Sequence, residues 1–227
     1  MGREVRLNAE ESFNDERLLV ELKKSAERYN RYANKKVLFI YRKDMKPSSE
    51  YMCYEVLFGE ENFIHLAGFQ SDKIDASTFF TKCLLGTLSP KELTFKESRK
   101  AASSKLSILP ELLDYHYVKL YMIGKKNLET LKNKFEVGLG NYQGIIGFDK
   151  RNLYPPVPIP VTAMKRPLQD YVSNPMKILA ILMKNKTDIS YNTVVACVTS
   201  GIEVSDLPKY ISEKIDGSLY PKIVKSK

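Results

Sequence analysis

The stretch Tyr54-Glu55-Val56-Leu57-Phe58-Gly59-Glu60-Glu61-Asn62-Phe63-Ile64-His65-Leu66-Ala67-Gly68-Phe69 decides how the fold is read. Tyr54 to Phe58 has the aromatic and β-branched composition of a strand. Gly59 and the acidic pair Glu60-Glu61 read as a turn, and Phe63 to Leu66 reads as a second strand broken at Ala67-Gly68. The expectation is a hairpin with His65 at a strand edge, just before a glycine turn. One of only two histidines in the chain thus falls where an acid/base group could meet a ligand. Imidazole titrates near neutrality and can both accept and donate a proton.

Outward from this hairpin the periodicity is mixed. Asp15 to Ala33 carries Leu18, Leu22, Ala26, Tyr29 and Ala33 at helical spacing, with charged residues between them, and predicts an amphipathic helix. Val37 to Tyr41 predicts a strand that ends before Pro47-Ser48-Ser49. Asp75 to Leu88 opens on an Asp cap, carries Phe79, Phe80, Cys83 and Leu84 on one side, and closes at Gly86 and Ser89-Pro90. A leucine-rich helix is expected from about Ser98 to Asp114, broken or kinked by Pro110. Beyond it the period shortens. Tyr117–Ile123, Phe135–Leu139, Gly144–Phe148, Lys177–Met183 and Thr193–Val198 read as strands joined by short connections, which favours antiparallel neighbours. Asp206 to Asp216 is expected to form a last short helix, with Gly217 to Lys227 as a loose basic tail. The fold class is α+β, with N-terminal helices packed on a mostly antiparallel sheet. A single domain over 1–227 is expected, with a helical segment at 1–36, a core at 37–200, and a short helix and tail at 201–227.

The chain has 227 residues, 43% of them hydrophobic, enough for one good core. Lys and Arg number 36 against 27 Asp and Glu, a formal charge of +9. That balance suits an anionic partner, although many basic proteins bind none. Cys53, Cys83 and Cys197 are far apart and read as buried free thiols in a reducing compartment. With no apolar leader at Met1–Leu7 and no long apolar run, the expectation is a cytoplasmic protein that does not enter a membrane.

Several chemistries lack their motif. There is no phosphate-binding loop with its Gly-Lys-Ser/Thr end and no His-Glu-x-x-His pair, and Gly138-Leu139-Gly140 lacks the third glycine of a dinucleotide fingerprint. No Cys-x-x-Cys pair offers a zinc site, so neither a metal nor a cofactor is expected. The pairs Glu10-Glu11 and Glu60-Glu61 read as solvated surface. His116, in Asp114-Tyr115-His116-Tyr117, reads as a helix-end residue.

The order of Phe63-x-His65-Leu66-Ala67-Gly68, Phe79-Phe80, Leu88-Ser89 and Ser104-Lys105-Leu106 resembles the phage and mobile-element branch of the barnase-EndoU-colicin-RelE-like (BECR) nucleases. The second half agrees. Gly147-Phe148, Tyr154-x-Pro156, Pro160-Val161-Thr162-Ala163-Met164, and Ile178 to Leu182 with Lys184 and then Tyr191 are similar to the end of the same family. The resemblance spans roughly Tyr54 to Tyr191. It implies helices on an antiparallel sheet and a metal-independent RNase site built from a histidine, a basic residue and a hydroxyl. By position these are His65, Lys105 and Thr162, with Tyr191 and Arg166 in reserve. Where the family pattern has threonine after His-Leu, this chain has Ala67. RNA carries its own nucleophile, the 2′-hydroxyl, so cleavage needs a base, an acid and a cation for the phosphorane charge. The resemblance implies His65 as acid or base, Lys105 as the cation and Thr162 as a phosphate donor. The leading expectation is an endoribonuclease of a phage or mobile element, acting as a toxin or effector, with RNA and a host or immunity protein as partners. The alternatives are a silent relative that binds nucleic acid or a host protein, favoured by Ala67, and a structural protein whose basic surface only aids solubility.

Overall fold

A computed structural model of the chain describes residues 2–43, 50–115, 120–124, 135–150, 156–170, 175–197, 202 and 204–220. The first helix, α1, runs from Gly2 to Asn30, thirteen residues earlier than the apolar stripe predicts. No proline or internal glycine interrupts that approach, so the helix propagates through it. It buries Leu18, Leu22, Ala26 and Tyr29, the predicted stripe, and ends in a turn where Asn34 adopts a left-handed φ of 59°. Strands β1 (Lys35–Arg42) and β2 (Tyr51–Phe58) follow as an antiparallel pair.

The expected second strand of the opening hairpin is a helix. Glu60–Asn62 form a single 3-10 turn and Phe63–Ala67 form α2. Four apolar-type residues are too few for periodicity to separate strand from helix. The deciding signal is Gly68, at φ +90°, which closes α2 with backbone bonds from Gly68 N to His65 O and from Phe69 N to Ile64 O. This is the left-handed helix stop that glycine allows without a Cβ penalty.

Helix α3 (Ala76–Leu85) has the expected caps. Asp75 accepts from Thr78 N at 2.9 Å, and Gly86 closes the helix in the left-handed region. The leucine-rich helix divides earlier than Pro110, into α4 (Arg99–Leu106) and α5 (Leu109–Leu112). Ser98 caps α4, and Pro110 sits in the first turn of α5, where its missing N–H costs nothing.

Strands β3 (Tyr121–Ile123), β4 (Val137–Gly140), β5 (Ile145–Lys150), β6 (Pro158–Met164), β7 (Met176–Asn185) and β8 (Thr193–Cys197) complete an antiparallel sheet. Its order is β2-β1-β7-β3-β4-β5-β6, with β8 also on β7. β6 has no counterpart among the predicted strands, because four prolines in 155–160 argue against one. In the paired path it is a terminal strand. Pro158 and Pro160 lie two residues apart, so the missing N–H groups point the same way, as an edge tolerates. The sheet curls: Phe148 of β5 meets Tyr54 and Phe58 of β2, with ring centroids 6.2 and 6.3 Å apart.

The helices cover one face. Tyr29, Phe58, Phe63, Phe79, Phe80 and Phe148 belong to the main core there. The other face carries Leu38, Ile40, Ala180 and Leu182, and it is covered by Ile202, Leu207, Ile211, Ile215 and Leu219. The last helix is thus shorter than expected, α6 at Lys209–Ser212. Gly217–Leu219 is not a loose tail but a 3-10 turn capped by Asp216, with Leu219 buried; residues 221–227 lie outside the described residues. Of the three cysteines Cys83 is buried, and Cys53 and Cys197 are only half-buried. Among the described residues no helix is long and apolar enough to cross a membrane.

Tyr29 tests this packing. Its hydroxyl donates to Gly59 O at 2.7 Å inside the core. Tyr29→Phe removes the donor and strands the carbonyl, and is expected to lower unfolding free energy by about 1–3 kcal/mol in a denaturant titration. Tyr29→Ala also opens a cavity and should cost about 3–5 kcal/mol.

Candidate functional site

His65 lies on α2, not at a strand edge. Phe63, Ile64, Leu66 and Ala67 are wholly buried and His65 alone on this short helix is part-exposed, with its Nδ1 enclosed. Ala67, where the family pattern has threonine, faces the main core. That departure therefore alters core packing and not the exposed side of α2. Asn62, three residues before His65 and so on the same side of the turn, is 3% exposed. Its Nδ2 has no hydrogen-bond partner among the described residues. A buried amide donor with no partner is costly unless something supplies an acceptor. Nothing in the local sequence singles out Asn62; only its burial does.

Lys105 is not a solvated helix lysine. It is 9% exposed, on the flank of α4 that meets α2. Gly68 sets the approach: a Cβ there would stand 3.1 Å from Ala102 Cα and 3.2 Å from Lys105 Cδ. The absence of a side chain lets α4 lie against the end of α2, with the lysine stem over the glycine three residues after His65. The chain from Gly68 onward also pairs with the segment before α4, through Gln70 N to Thr94 O and Lys96 N to Gly68 O, both 3.0 Å. This brings Lys96 and Glu97 to the same place. Lys105 Nζ lies 3.8 Å from a Glu97 carboxylate that is itself 66% exposed, so the pair is weakly held. Burial pushes the Lys105 ammonium below the ordinary lysine range; Glu97 opposes this and the Lys96 charge adds to it. A buried cation with a lowered pKa is a common property of working lysines.

Thr162 sits on β6, which α2 and α4 both touch. It pairs with Gly147 and shares its face, where a side chain on Gly147 would strike the Phe135 ring. The neighbouring Ala163 faces the helix-side core. The structure therefore brings the segments of His65 and Lys105 together and turns the half-buried Thr162 hydroxyl to the other side of the same strand. Of the reserve residues, Arg166 is exposed and Tyr191 is buried on the face away from the helices. His116 and Tyr154 lie outside the described residues.

The opposite flank of α4 faces α1 across an open groove of about 690 Å³, lined by Arg17, Glu21, Arg99, Lys100, Ser103 and Ser107 among others, with Arg99 paired to Asp15. At 100° per residue, Ser103 and Lys105 project to opposite flanks of the core-facing stripe, so one helix presents cationic side chains to two different surfaces. Among the described residues no group of three or more His, Cys, Asp or Glu could hold a metal ion.

A family model described as phage-Barnase-EndoU-ColicinE5/D-RelE like nuclease4 matches residues 21–197. No curated protein and no solved structure gives a match.

The burial of Lys105 has a measurable consequence. Because the folded pKa is lowered, the unfolded chain holds this proton at pH values where the folded chain has released it. The charge is thus a stability cost at neutral pH that fades as pH rises from the lowered value toward the ordinary 10.5. Lys105→Met, which keeps the apolar stem, is expected to raise unfolding free energy by about 1 kcal/mol near neutral pH. The gain should narrow in titrations repeated at alkaline pH.

Proposed function

Since the chain belongs to this phage barnase-EndoU-colicin-RelE-like nuclease family, we propose that it is a metal-independent endoribonuclease of a phage or mobile element. The observation that supports this best is the contact of α4 with the glycine cap of α2. It places a buried lysine beside the helix that exposes His65.

In this reading RNA lies along the exposed side of α2. His65 takes the proton of a 2′-hydroxyl, whose oxygen attacks the adjacent phosphorus. A new P–O2′ bond forms, the P–O5′ bond breaks, and the departing 5′-oxygen takes up a proton. Lys105 holds the negative charge that grows on the phosphorane oxygens. Its low exposure strengthens that interaction relative to water. Thr162, half-buried on the edge strand, donates to the strand of RNA that passes round the sheet edge. The groove between α1 and α4 supplies arginine and lysine to more distant phosphates, which positions the chain without reading its sequence.

Two measurements test the reading. The purified protein is expected to cut single-stranded RNA in the presence of EDTA and leave a 2′,3′-cyclic phosphate; cleavage that depends on magnesium would refute the mechanism. His65→Ala should then lower the cleavage rate by about 100-fold or more with nearly unchanged RNA affinity, since a general acid or base acts mainly in the transition state. Lys105→Met should reduce both rate and affinity and make binding less salt-dependent. RNA that is bound with steep salt dependence and never cut would identify a silent, nucleic-acid-binding relative instead. A folded His65→Ala that cuts at the parent rate removes the histidine from the mechanism.

A further inference from the structure

The hairpin turn between β4 and β5 is anchored at both ends, and between the anchors it holds one aromatic ring in solvent. Asn141 is 2% exposed and commits its side chain and its backbone to the turn. Its Oδ1 accepts from Gln143 N at 2.7 Å and from Gly144 N at 3.2 Å, and its Nδ2 donates to Glu111 Oε1 on α5 at 3.2 Å. Its backbone N donates to Gly144 O, and its carbonyl accepts from Leu168 N, both at 3.0 Å. Gly144 completes the seat. A Cβ there would stand 2.5 Å from Ile108 Cδ1 and 2.7 Å from Met164 O, so glycine lets the turn lie against both the α4–α5 junction and the end of β6.

Tyr142 follows Asn141 directly and is 64% exposed. It belongs to none of the apolar clusters, and its hydroxyl is met by Gln143 Nε2 at 3.3 Å. A ring left in water contributes little to folding. Held on a fixed turn, it has little freedom left to lose when a flat partner covers it. Its surroundings are polar. Ile145 pairs with Met164, so Lys165 and Arg166 continue beside the turn, and both are exposed. Among the described residues neither takes part in an ion pair. The acidic residues of these segments are Glu111, turned toward Asn141, and Asp170, exposed beyond Pro167. The local charge is therefore balanced, and the ring is the distinctive feature. A single aromatic among exposed lysine and arginine is not the apolar patch of a protein interface. It is the pairing used to hold single strands, where bases stack on rings and cations meet the backbone.

The turn also stands next to the end of α4. Ile108, whose side chain meets Gly144, donates its N–H to Lys105 O at 3.1 Å. We propose that Tyr142 is a stacking platform for a nucleobase of single-stranded RNA, with Lys165 and Arg166 meeting the phosphates beside that nucleotide. The inference rests on the nuclease reading for the identity of the ligand and adds a contact outside the reacting nucleotide. Tyr142 is a positioning residue: every base has a π face, so the ring places the strand without selecting its sequence.

The chain contains no tryptophan, so Tyr142→Trp keeps a stacking ring and places the sole indole of the protein on the turn. The probe is a short single-stranded RNA with a 2′-O-methyl backbone, which lacks the 2′-hydroxyl nucleophile and reports binding without cleavage. Its binding is expected to quench the indole emission, and an abasic strand of the same length should bind without quenching. Tyr142→Ala should weaken the base-bearing probe by about tenfold, the scale of one lost base stack. The same variant should leave its salt dependence, and its affinity for the abasic strand, unchanged. Tyr142→Phe should bind as the parent does. Lys165→Gln and Arg166→Gln should each reduce the salt slope by about one. Thermal unfolding checks that each variant is folded. RNA bound through Tyr142 and never cut leaves the platform standing and removes the nuclease reading. RNA that is cut, yet bound equally by parent and Tyr142→Ala without quenching, overturns the platform, leaves the nuclease reading intact and points the ring toward a protein partner. No binding of the base-bearing probe by the parent, or a Tyr142→Phe variant as weak as Tyr142→Ala, also overturns it.

Discussion

The hydrogen bond from the Tyr29 hydroxyl to the Gly59 carbonyl, 2.7 Å long and fully buried, is the constraint on which the helix side of this molecule depends. Gly59 is the residue at which β2 ends and the turn into α2 begins. The Tyr29 ring lies 5.6, 5.4 and 5.7 Å from Phe58, Phe63 and Phe80, so α1, β2, α2 and α3 meet around one side chain. The aromatic contacts alone are tolerant of small shifts. The hydroxyl is not, because a phenol and a carbonyl left apart inside an apolar core each lose their water without replacement. This one polar contact selects a single docking of α1 among the many that would bury the same area.

The position of α2 has a second consequence at its other end. Gly68 stops the helix in a conformation only glycine adopts cheaply, and the same missing side chain admits α4. The lysine stem that fills this contact is well packed, but its charge is poorly solvated and only loosely paired with Glu97. A core optimised for stability would place an uncharged residue of that length there. Retaining a cation at the end of the helix that carries a part-exposed histidine is the pattern expected where stability is subordinate to a working site.

The two faces of the sheet divide the chemistry. On the helix side the strands contribute Val37, Phe39, Val56 and Phe58, all wholly buried, and the polar groups come from the helices and turns above. On the outer side the strands themselves contribute Lys36, Glu55 and Lys184 at the rim of a smaller apolar cluster. Tyr191 links that rim to the covering layer through its hydroxyl, its amide and its carbonyl, the last accepting from Asp216 N at 2.9 Å. The segment beyond β8 is therefore an integral part of the outer face.

Much of this architecture was legible in the residue order. The α1 stripe, β1, β2, the Asp75 and Gly86 caps of α3 and the antiparallel character of the second half all follow from local periodicity and turn chemistry. The resemblance carried by Phe63 to Gly68 and Ser104 to Leu106 pointed to the family. Two elements were not legible. Phe63–Leu66 suits a strand or a helix equally well over four residues, and β6 hides behind its prolines because only an edge position makes them harmless. Identity, spacing and caps act over a few residues, and to that extent the sequence by itself determined the elements, the basic surface and the presence of a histidine and a lysine suited to phosphate chemistry. Only the tertiary structure decided that Lys105 is buried against Gly68, that Asn62 is enclosed, that Thr162 turns away from the helices, and that Lys36, Glu55, Lys184 and Tyr191 converge. Burial and charge balance depend on which distant segments pack together, and that is set by the whole core at once.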